Sequence, residues 1–134
     1  DIDVVLIALR YTLLDQSAGV GLLPAALKKG VSVIAGGVFN SGILAGAKEG
    51  ATYNYEVASA DVLARAQKIE AFFNDRGISL AQAALQFPMR HPAISAILVG
   101  CRSAQEVTRN VSLYNKTIDE DIWKEFESFQ SLLL

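Results

Sequence analysis

The segment from Ser95 to Asn110 carries the residue pattern best suited to chemistry in this chain. A short apolar run over 96–99 is followed by Ser103 and, three residues later, Glu106, which is the capping box that opens a helix. The turn before such a helix presents unpaired N–H groups and the positive end of the helix dipole, and Arg102 adds a positive charge there. The pattern therefore predicts a phosphate-binding turn or, alternatively, an ordinary strand-to-helix turn with a good cap.

Other reactive residue types have plainer interpretations. His91, between Arg90 and Pro92 at a helix end, is predicted to be a surface or capping histidine. Tyr11 near a strand end favours packing or a substrate wall over proton transfer, because no lysine lies beside it in sequence. We expect Cys101 to be an unreactive small residue of the turn, although a helix N-terminus can lower a thiol pKa.

Composition excludes several classes of protein. The chain has 134 residues, is 51% hydrophobic and has a net charge of −2. Without a basic stripe it is not expected to bind nucleic acid, and no apolar run approaches the roughly 18 residues of a membrane span. No metal-ligand spacing appears among the charges of 116–127. Cys101 has no disulfide partner and no leader is visible, which favours the cytoplasm.

Hydrophobic periodicity predicts three strands separated by helices. The first run is continuous, as expected for a strand buried on both faces. A long loop rich in Gly, Asn and Tyr follows the second strand; its Tyr53 and Tyr55 shape a substrate pocket or lie on the surface. We predict strands at 4–9, 31–35 and 96–99, a loop at 36–59, and helices at 18–29, 61–74, 79–88, 103–114 and 119–130.

The order of these elements favours an α/β fold with a parallel sheet. Three apolar parallel strands leave two open sheet edges and one uncovered face, so they are not a finished structure. A (β/α)8 TIM barrel takes about 250 residues, and three β/α units with a tail helix correspond to its C-terminal portion. A small free-standing three-layer α/β domain is the competing architecture.

Several motifs resemble the C-terminal part of an aldo-keto reductase. They occur in the family's order and span nearly the whole chain, and the last is the most specific. The residues of F-N-S-G-I-L and of the V-G-x-R-S turn are most similar to those of the branch that contains the L-fucose, D-arabinose and galactose dehydrogenases. The motifs are R-Y-T-L-L-D at 10–15, V-S-V-I-A at 31–35 with F-N-S-G-I-L at 39–44, G-I-S-L-A-Q-A-A-L at 77–85, and I-L-V-G-C-R-S at 97–103 with Asn110.

The resemblance implies a nicotinamide cofactor across the C-terminal ends of the strands. Phe39, Asn40, Ser41 and Gly42 would form the loop over the pyrophosphate, with glycine allowing backbone N–H groups to approach phosphate oxygens. The turn of Gly100 and Cys101 leads to Arg102 and Ser103, which would hold the adenosine ribose.

At the adenine end, Asn110 would hydrogen-bond the base, and Arg109 stands where many members have an acidic residue. Glu106 near the ribose would repel a 2′-phosphate and accept hydrogen bonds from a free 2′-OH, whereas Arg102 acts in the opposite sense. We therefore expect NAD or NADP as cofactor, with a slight preference for NAD.

The sequence also departs from the family pattern near the nicotinamide. Gly36-Gly37 replaces an aromatic residue that many members stack on the ring, and Ala8 stands where a carboxamide-binding Gln is common. The family's catalytic Tyr, Lys, Asp and His lie on the first half of the barrel, which is absent here. We therefore expect residues 1–134 to be strands six to eight with their helices and a C-terminal helix, and no catalytic residue on this chain.

Three functional hypotheses follow. The first is the cofactor-binding portion of an NAD(P)-dependent aldose dehydrogenase or carbonyl reductase, with a sugar or carbonyl substrate and no activity of this chain alone. The second is a non-enzymatic α/β module that binds a nucleotide or partner and forms oligomers through its open sheet edges. The third is a flavin- or phosphate-binding half-barrel using the same residues.

Overall fold

The computed structural model describes residues 1–132. Within them, no helix is both long enough and apolar enough to cross a bilayer. Short 3-10 turns lie at Ser17–Gly19, Asn40–Ala45 and Phe87–Arg90. The strands and α-helices are β1 Val4–Ala8, α1 Leu22–Lys29, β2 Ser32–Gly36, β3 Thr52–Tyr53, β4 Glu56–Val57, α2 Ala60–Asn74, α3 Leu80–Gln86, β5 Ile94–Leu98, α4 Ala104–Asn115 and α5 Glu120–Ser131.

The main sheet is parallel, with the strand order β1-β2-β5. Leu6 pairs with Ile34, and Ile34 pairs with Ala96. The predicted α/β fold with a parallel sheet is therefore confirmed. The predicted loop 36–59 is more ordered than expected, because it contains a 3-10 turn and the antiparallel hairpin β3–β4.

The prediction that the first strand is buried on both faces is wrong. Exposure alternates along β1, with Val5 and Ile7 half-buried while Val4 and Leu6 are 51% and 53% exposed. Val5 and Ile7 pack against the cluster formed with α1, whereas Leu6 lies on the opposite side of the sheet. A continuous apolar run indicates that both faces avoid water in the final fold, but only one face is covered by residues of this chain.

The larger core lies among α2, α3 and α5. Phe73 and Phe126 are fully buried with ring centroids 4.8 Å apart, and Trp123 meets Phe73 edge-on at 5.6 Å. The last helix therefore contributes an apolar face to this core. A smaller cluster joins α1, including fully buried Leu23, to one face of the sheet.

Local interactions set the ends of the helices. Gly30 adopts the left-handed conformation at φ 68° and ends α1. Ser59 and Ser79 are N-caps of α2 and α3. The Gln82 side chain donates to the carbonyl of Lys116 rather than back to the cap, so it ties α3 to the end of α4.

Candidate functional site

A cleft of about 850 Å³ opens at the C-terminal ends of β2 and β5. It lies between the loop after β2 and the turn that enters α4. Parallel α/β folds build their sites at this edge of the sheet. Eight of the ten predicted site residues line it, namely Phe39, Ser41, Gly42, Gly100, Cys101, Arg102, Glu106 and Asn110.

The two remaining predicted residues support the cleft without lining it. Asn40 is fully buried, and its Oδ1 accepts a hydrogen bond from the backbone N–H of Asn54 at 3.2 Å. Ser103 caps α4, with its Oγ accepting from the N–H of Glu106 at 3.2 Å. Both side chains are therefore engaged in holding the loops around the cleft.

The loop after β2 turns back on itself through three consecutive residues with positive φ, Asn40 at 45°, Ser41 at 59° and Gly42 at 133°. The N–H groups of Asn40 and Gly42 donate to the carbonyls of Gly37 and Phe39 at 2.8 and 3.0 Å. These two N–H groups close the loop and do not point at a ligand, contrary to the expected approach of glycine N–H groups to phosphate.

The hairpin β3–β4 forms the outer rim of the cleft. Its turn residues Asn54 and Tyr55 have φ values of 51° and 69°, the pattern of a type I′ turn. The Ser41 Oγ accepts from the backbone N–H of Tyr55 at 2.9 Å, and Thr52 Oγ1 donates to the Ser41 carbonyl. The Ser41 hydroxyl proton is left free to donate towards the cleft.

Leu9 and Gly37 close the inner end of the cleft by direct contact. A Cβ on Gly37 would lie 2.5 Å from Leu9 Cδ2, and Gly37 has φ 65°. A side chain at this position would be strained by the positive φ and would have to displace Leu9, which gives a physical reason for glycine where the family often has an aromatic residue. Leu9 itself has φ 66° and lines the cleft.

The cleft is positively charged although the whole chain is negative. Lys48, Arg102 and Arg109 line it, with Glu106 as the one acidic side chain among the residues described. Lys48 was missed by the sequence analysis, which stopped at residue 44 of the loop motif. Arg109 was noted without a role. The excess of cations favours an anionic ligand.

Arg102 and Glu106 form a local ion pair at the entrance to α4. Glu106 Oε2 accepts from the backbone N–H of Arg102 at 2.8 Å, and its Oε1 lies 3.1 Å from the guanidinium Nη2. The return bond of the capping box thus goes to Arg102 rather than to Ser103. The backbone N–H and then the guanidinium of Arg102 lower the pKa of Glu106, so it is a carboxylate at neutral pH.

Asn110 presents an unusual buried amide. The residue is 8% exposed, its Nδ2 donates to Cys101 Sγ at 3.4 Å, and its Oδ1 has no hydrogen-bond partner. Buried acceptors without a donor are uncommon, because they lose their hydration without replacement. Asn110 therefore places an unsatisfied, buried acceptor in the wall of the cleft.

Tyr11 and His91 lie outside the cleft. Tyr11 stacks on Phe87 at 5.3 Å and contacts His91 edge-on at 5.6 Å. His91 Nδ1 accepts from the N–H of Ala93 at 3.1 Å. Burial raises the pKa of Tyr11 and lowers that of His91. The packing and capping roles predicted for them are confirmed, and no group of three metal-ligating residues occurs within 1–132.

The family comparison matches almost the whole chain. The model of the aldo/keto reductase family aligns with residues 1–131. Pyridoxal 4-dehydrogenase of Microbacterium luteolum is 40% identical over 129 residues, covering 96% of this chain and 38% of that enzyme. D-threo-aldose 1-dehydrogenase of a Pseudomonas species is 32% identical over 127 residues, covering 93% of this chain and 39% of that enzyme.

Solved structures give the same fold. Aldo-keto reductase AKR11C1 of Bacillus halodurans in its apo form superposes with a TM-score of 0.72 at 21% identity, covering 96% of this chain and 43% of that one. Glycerol dehydrogenase AKR11B4 of Gluconobacter oxydans gives 0.69 at 16% identity, covering 98% and 43%. The chain spans about two fifths of these relatives, which fits the predicted partial TIM barrel.

Proposed function

The chain belongs to the aldo/keto reductase family, and on that premise we propose that it is the cofactor-binding portion of an NAD(P)-dependent oxidoreductase. Enzymes of this family use NAD(P)H, and the reaction proposed here moves a hydride between the nicotinamide and a sugar hydroxyl or a carbonyl. The observation that carries the proposal is the cationic cleft at the C-terminal ends of β2 and β5, with its unpartnered acceptor on Asn110.

The residues of the cleft suit the parts of a dinucleotide. The Ser41 hydroxyl and the Lys48 ammonium would bind the pyrophosphate, beside Phe39 and Gly42 of the same loop. Asn40 and Ser103 would act indirectly, because they hold the loop and the helix start.

Around the ribose and the base, Gly100 and Cys101 form the turn that carries Arg102, and Asn110 would accept a hydrogen bond from the adenine. When bound, the cofactor would accept a hydride from a sugar hydroxyl or supply one to a carbonyl. The residues of this chain contribute binding and orientation only.

NAD is the preferred cofactor in this proposal. Glu106 already engages Arg102 through two hydrogen bonds, so a 2′-phosphate must displace a carboxylate to reach the guanidinium. A 2′-OH can instead donate to Glu106 without breaking the pair, because a carboxylate has several acceptor sites. NADP would still bind, more weakly than NAD, because Arg109 and Lys48 line the same cleft and attract its phosphates.

We further propose that this chain corresponds to strands six to eight of the barrel. It spans 38% and 39% of its two dehydrogenase relatives, and the family's acid/base residues lie on the first half. The chain alone is then inactive, and catalysis requires that half. The cytoplasmic location stays a prediction.

Nucleotide binding to the purified chain tests the proposal directly. NAD is titrated into the labelled protein while amide NMR shifts are followed, since weak binding remains measurable this way. We expect saturable shifts at the cleft, and a double variant Lys48→Glu/Arg109→Glu should weaken NAD binding at least about tenfold by placing like charge against the phosphates. Lys68→Glu, at an exposed position of α2 that does not line the cleft, is the matched control and should bind as the wild type does.

Cofactor preference is tested with Glu106→Lys, which reverses the charge beside Arg102. The ratio of the NADP to the NAD dissociation constant should fall about tenfold, because the repulsion of the 2′-phosphate becomes attraction. An unchanged ratio contradicts the role given to Glu106. Absence of any saturable NAD shift in the wild type contradicts the proposed function itself.

A non-enzymatic module that forms oligomers is the second candidate. The observation in its favour is the apolar sheet face that carries exposed Val4, Leu6 and Leu98. A second copy covering this face would give a stable assembly without any further β/α units. The two candidates differ in what covers the face, and the association experiment in the Discussion separates them.

A further inference from the structure

The inner end of the cleft is apolar, whereas the cations lie elsewhere along it. Leu9 directly follows β1, Gly37 directly follows β2, and Leu98 ends β5, and all three line the cleft. The cations lie on the loop after β2, on the turn before α4 and on α4 itself. A dinucleotide held by these cations through its phosphates has one ring left for the apolar end. In the function proposed above the adenine lies at α4, so this ring is the nicotinamide.

Two glycines at the end of β2 separate two leucines at this end of the cleft. Gly36 is the last residue of β2 and pairs with Ala8 on one side and with Leu98 on the other. Gly37 follows it and lies against Leu9, since a Cβ at this position would be 2.5 Å from Leu9 Cδ2. The central strand therefore contributes backbone and no side chain between the two leucines. We call this feature, formed by Leu9, Gly36, Gly37 and Leu98, the leucine slot.

Leu9 has a backbone conformation that leucine rarely adopts. Its φ of 66° lies in the left-handed region, and its N–H donates to the carbonyl of Gly36 at 3.0 Å. Strain of this kind is concentrated at binding and catalytic sites, where the surrounding structure holds it in place. Leu98, 55% exposed, supplies most of the accessible surface of the leucine slot, and Leu9, 7% exposed, closes its inner side. The slot thus offers aliphatic surface to an uncharged part of a ligand.

The charges around the leucine slot favour one redox state of the ring. The oxidised nicotinamide ring carries a positive charge and the reduced ring carries none, so NADH has one more net negative charge than NAD+. Among the residues that the structure describes, the only acidic side chain lining the cleft is Glu106, which pairs with Arg102 at the start of α4. A positive ring would lose hydration against aliphatic side chains and meet no counter-charge there. The excess of cations in the cleft acts in the same direction.

We propose that the leucine slot makes this chain bind NADH more tightly than NAD+, with Leu98 and Leu9 as the residues that contact the nicotinamide ring. The inference rests on the proposed nucleotide function and adds to it a preference for the reduced cofactor. By linkage, tighter binding of NADH favours oxidation of the substrate at equilibrium on the protein.

The experiment measures the dissociation constants of NADH, NAD+ and ADP-ribose by NMR titration of the full chain. ADP-ribose lacks the nicotinamide and keeps the rest of the dinucleotide, so it reports on the cleft outside the leucine slot. The wild type should bind NADH on the order of tenfold more tightly than NAD+. Leu98→Asp places a carboxylate beside the ring and should bring the two constants to within about twofold, chiefly through tighter NAD+ binding.

Three further variants separate the added charge from the change of shape. Leu98→Asn matches Leu98→Asp in size without its charge and should give an intermediate ratio. Leu9→Asn, whose side chain tolerates a positive φ, should lower the preference for NADH to about threefold. Leu27→Asp adds a carboxylate at a half-exposed position outside the cleft and should keep the wild-type ratio. The affinity for ADP-ribose should stay within about twofold of the wild type in all of them, because none of the substituted side chains is placed at the phosphates or the adenine.

The outcomes distinguish this inference from the function on which it rests. A wild type that binds NAD+ as tightly as NADH overturns the inference and leaves the proposed function standing. A preference for NADH that persists in Leu98→Asp assigns it to the cations alone and overturns the role of the leucine slot. A wild type that binds none of the three ligands overturns both proposals. Leu98 is more than half exposed, so its substitutions are not expected to impair folding, and they decide the result if Leu9→Asn loses affinity for ADP-ribose.

Discussion

The two faces of the parallel sheet contrast in what covers them. On one face Val33 and Ala35 are almost completely buried beneath α1 and its neighbours. On the other face Leu6 and Leu98 are 53% and 55% exposed although they are equally apolar. These side chains are all apolar and lie on neighbouring positions of one sheet. Their exposure differs because a helix covers only one face of that sheet.

This contrast shows that burial is not a property of the strand sequence alone. Alternation with period two places successive side chains on opposite faces, and each face needs its own cover. In the proposed barrel the open face points to the interior, where layers of side chains from other strands fill the space. In the oligomer alternative, a second copy fills it.

The largest expected effect is the difference in free energy of unfolding between truncating a leucine on the covered face and truncating one on the open face. Leu23→Ala on α1 removes a fully buried side chain above the covered face, and it should lower the free energy of unfolding by about 2–5 kcal/mol. Leu6→Ala on the open face should cost about 0.5 kcal/mol or less. Chemical denaturation of both variants measures the difference. Equal losses would mean that Leu6 is covered in solution.

The second effect concerns what covers the open face. The oligomer alternative expects sedimentation of the wild type to depend on concentration, and Leu6→Ser/Leu98→Ser should weaken that association at least about tenfold, because two apolar contacts are lost. Val20→Ser, which changes an 89% exposed residue outside the sheet, is the control. A wild type that stays monomeric at all concentrations contradicts the oligomer and leaves the open face for other β/α units.

The third effect compares a helix that buries few side chains with one that buries several. α4 buries Asn110 alone among its residues, whereas α2 buries four, including Phe73. Removing an N-cap costs about 1 kcal/mol, and Ser103→Ala should concentrate that loss in α4, where little packing compensates. Hydrogen exchange should then accelerate through α4. In the matched variant Ser59→Ala, α2 should remain protected because its buried face holds it. Equal acceleration in both helices contradicts this distinction.

The sequence predicted the elements well because each signal was local. The apolar runs and the cap at Ser103 act within a few residues, and both appear in the structure. The hairpin β3–β4 was missed because each strand is only two residues long, too short for a period to emerge.

The candidate site was predictable in outline and not in its chemistry. Most of its residues came from two motifs that follow neighbouring strands, so their meeting at one edge follows from a parallel sheet. The hydrogen bond of Asn110 was not predictable, because it is made to Cys101, nine residues away. Asn40 was placed in the cleft by its motif, whereas the structure turns it inward to hold the hairpin.

The smallest expected effect is a pH dependence that arises from the covered side. The open face, formed by Val4, Leu6, Ala8, Ser32, Ile34, Gly36, Ala96 and Leu98, has no titratable side chain, whereas His91 packs against Tyr11. Burial lowers the pKa of His91, so the unfolded chain binds a proton more readily near its ordinary value of about 6.5. The free energy of unfolding should therefore fall slightly as the pH drops from 7 to 5.5.

Neighbouring groups should not contribute in this pH window. Arg90 and Glu120 form an ion pair, hydrogen bonding to Arg90 lowers the pKa of Glu120, and the pKa of Tyr11 is raised from an already basic value. His91→Asn is the matched variant, because its side-chain oxygen can accept the same N–H from Ala93 without titrating. Denaturation at pH 7.0 and 5.5 should give a smaller difference for this variant than for the wild type. If the free energy of unfolding changes equally with pH in both proteins, the titrating group is not His91. The covered side would then be stabilised by packing alone.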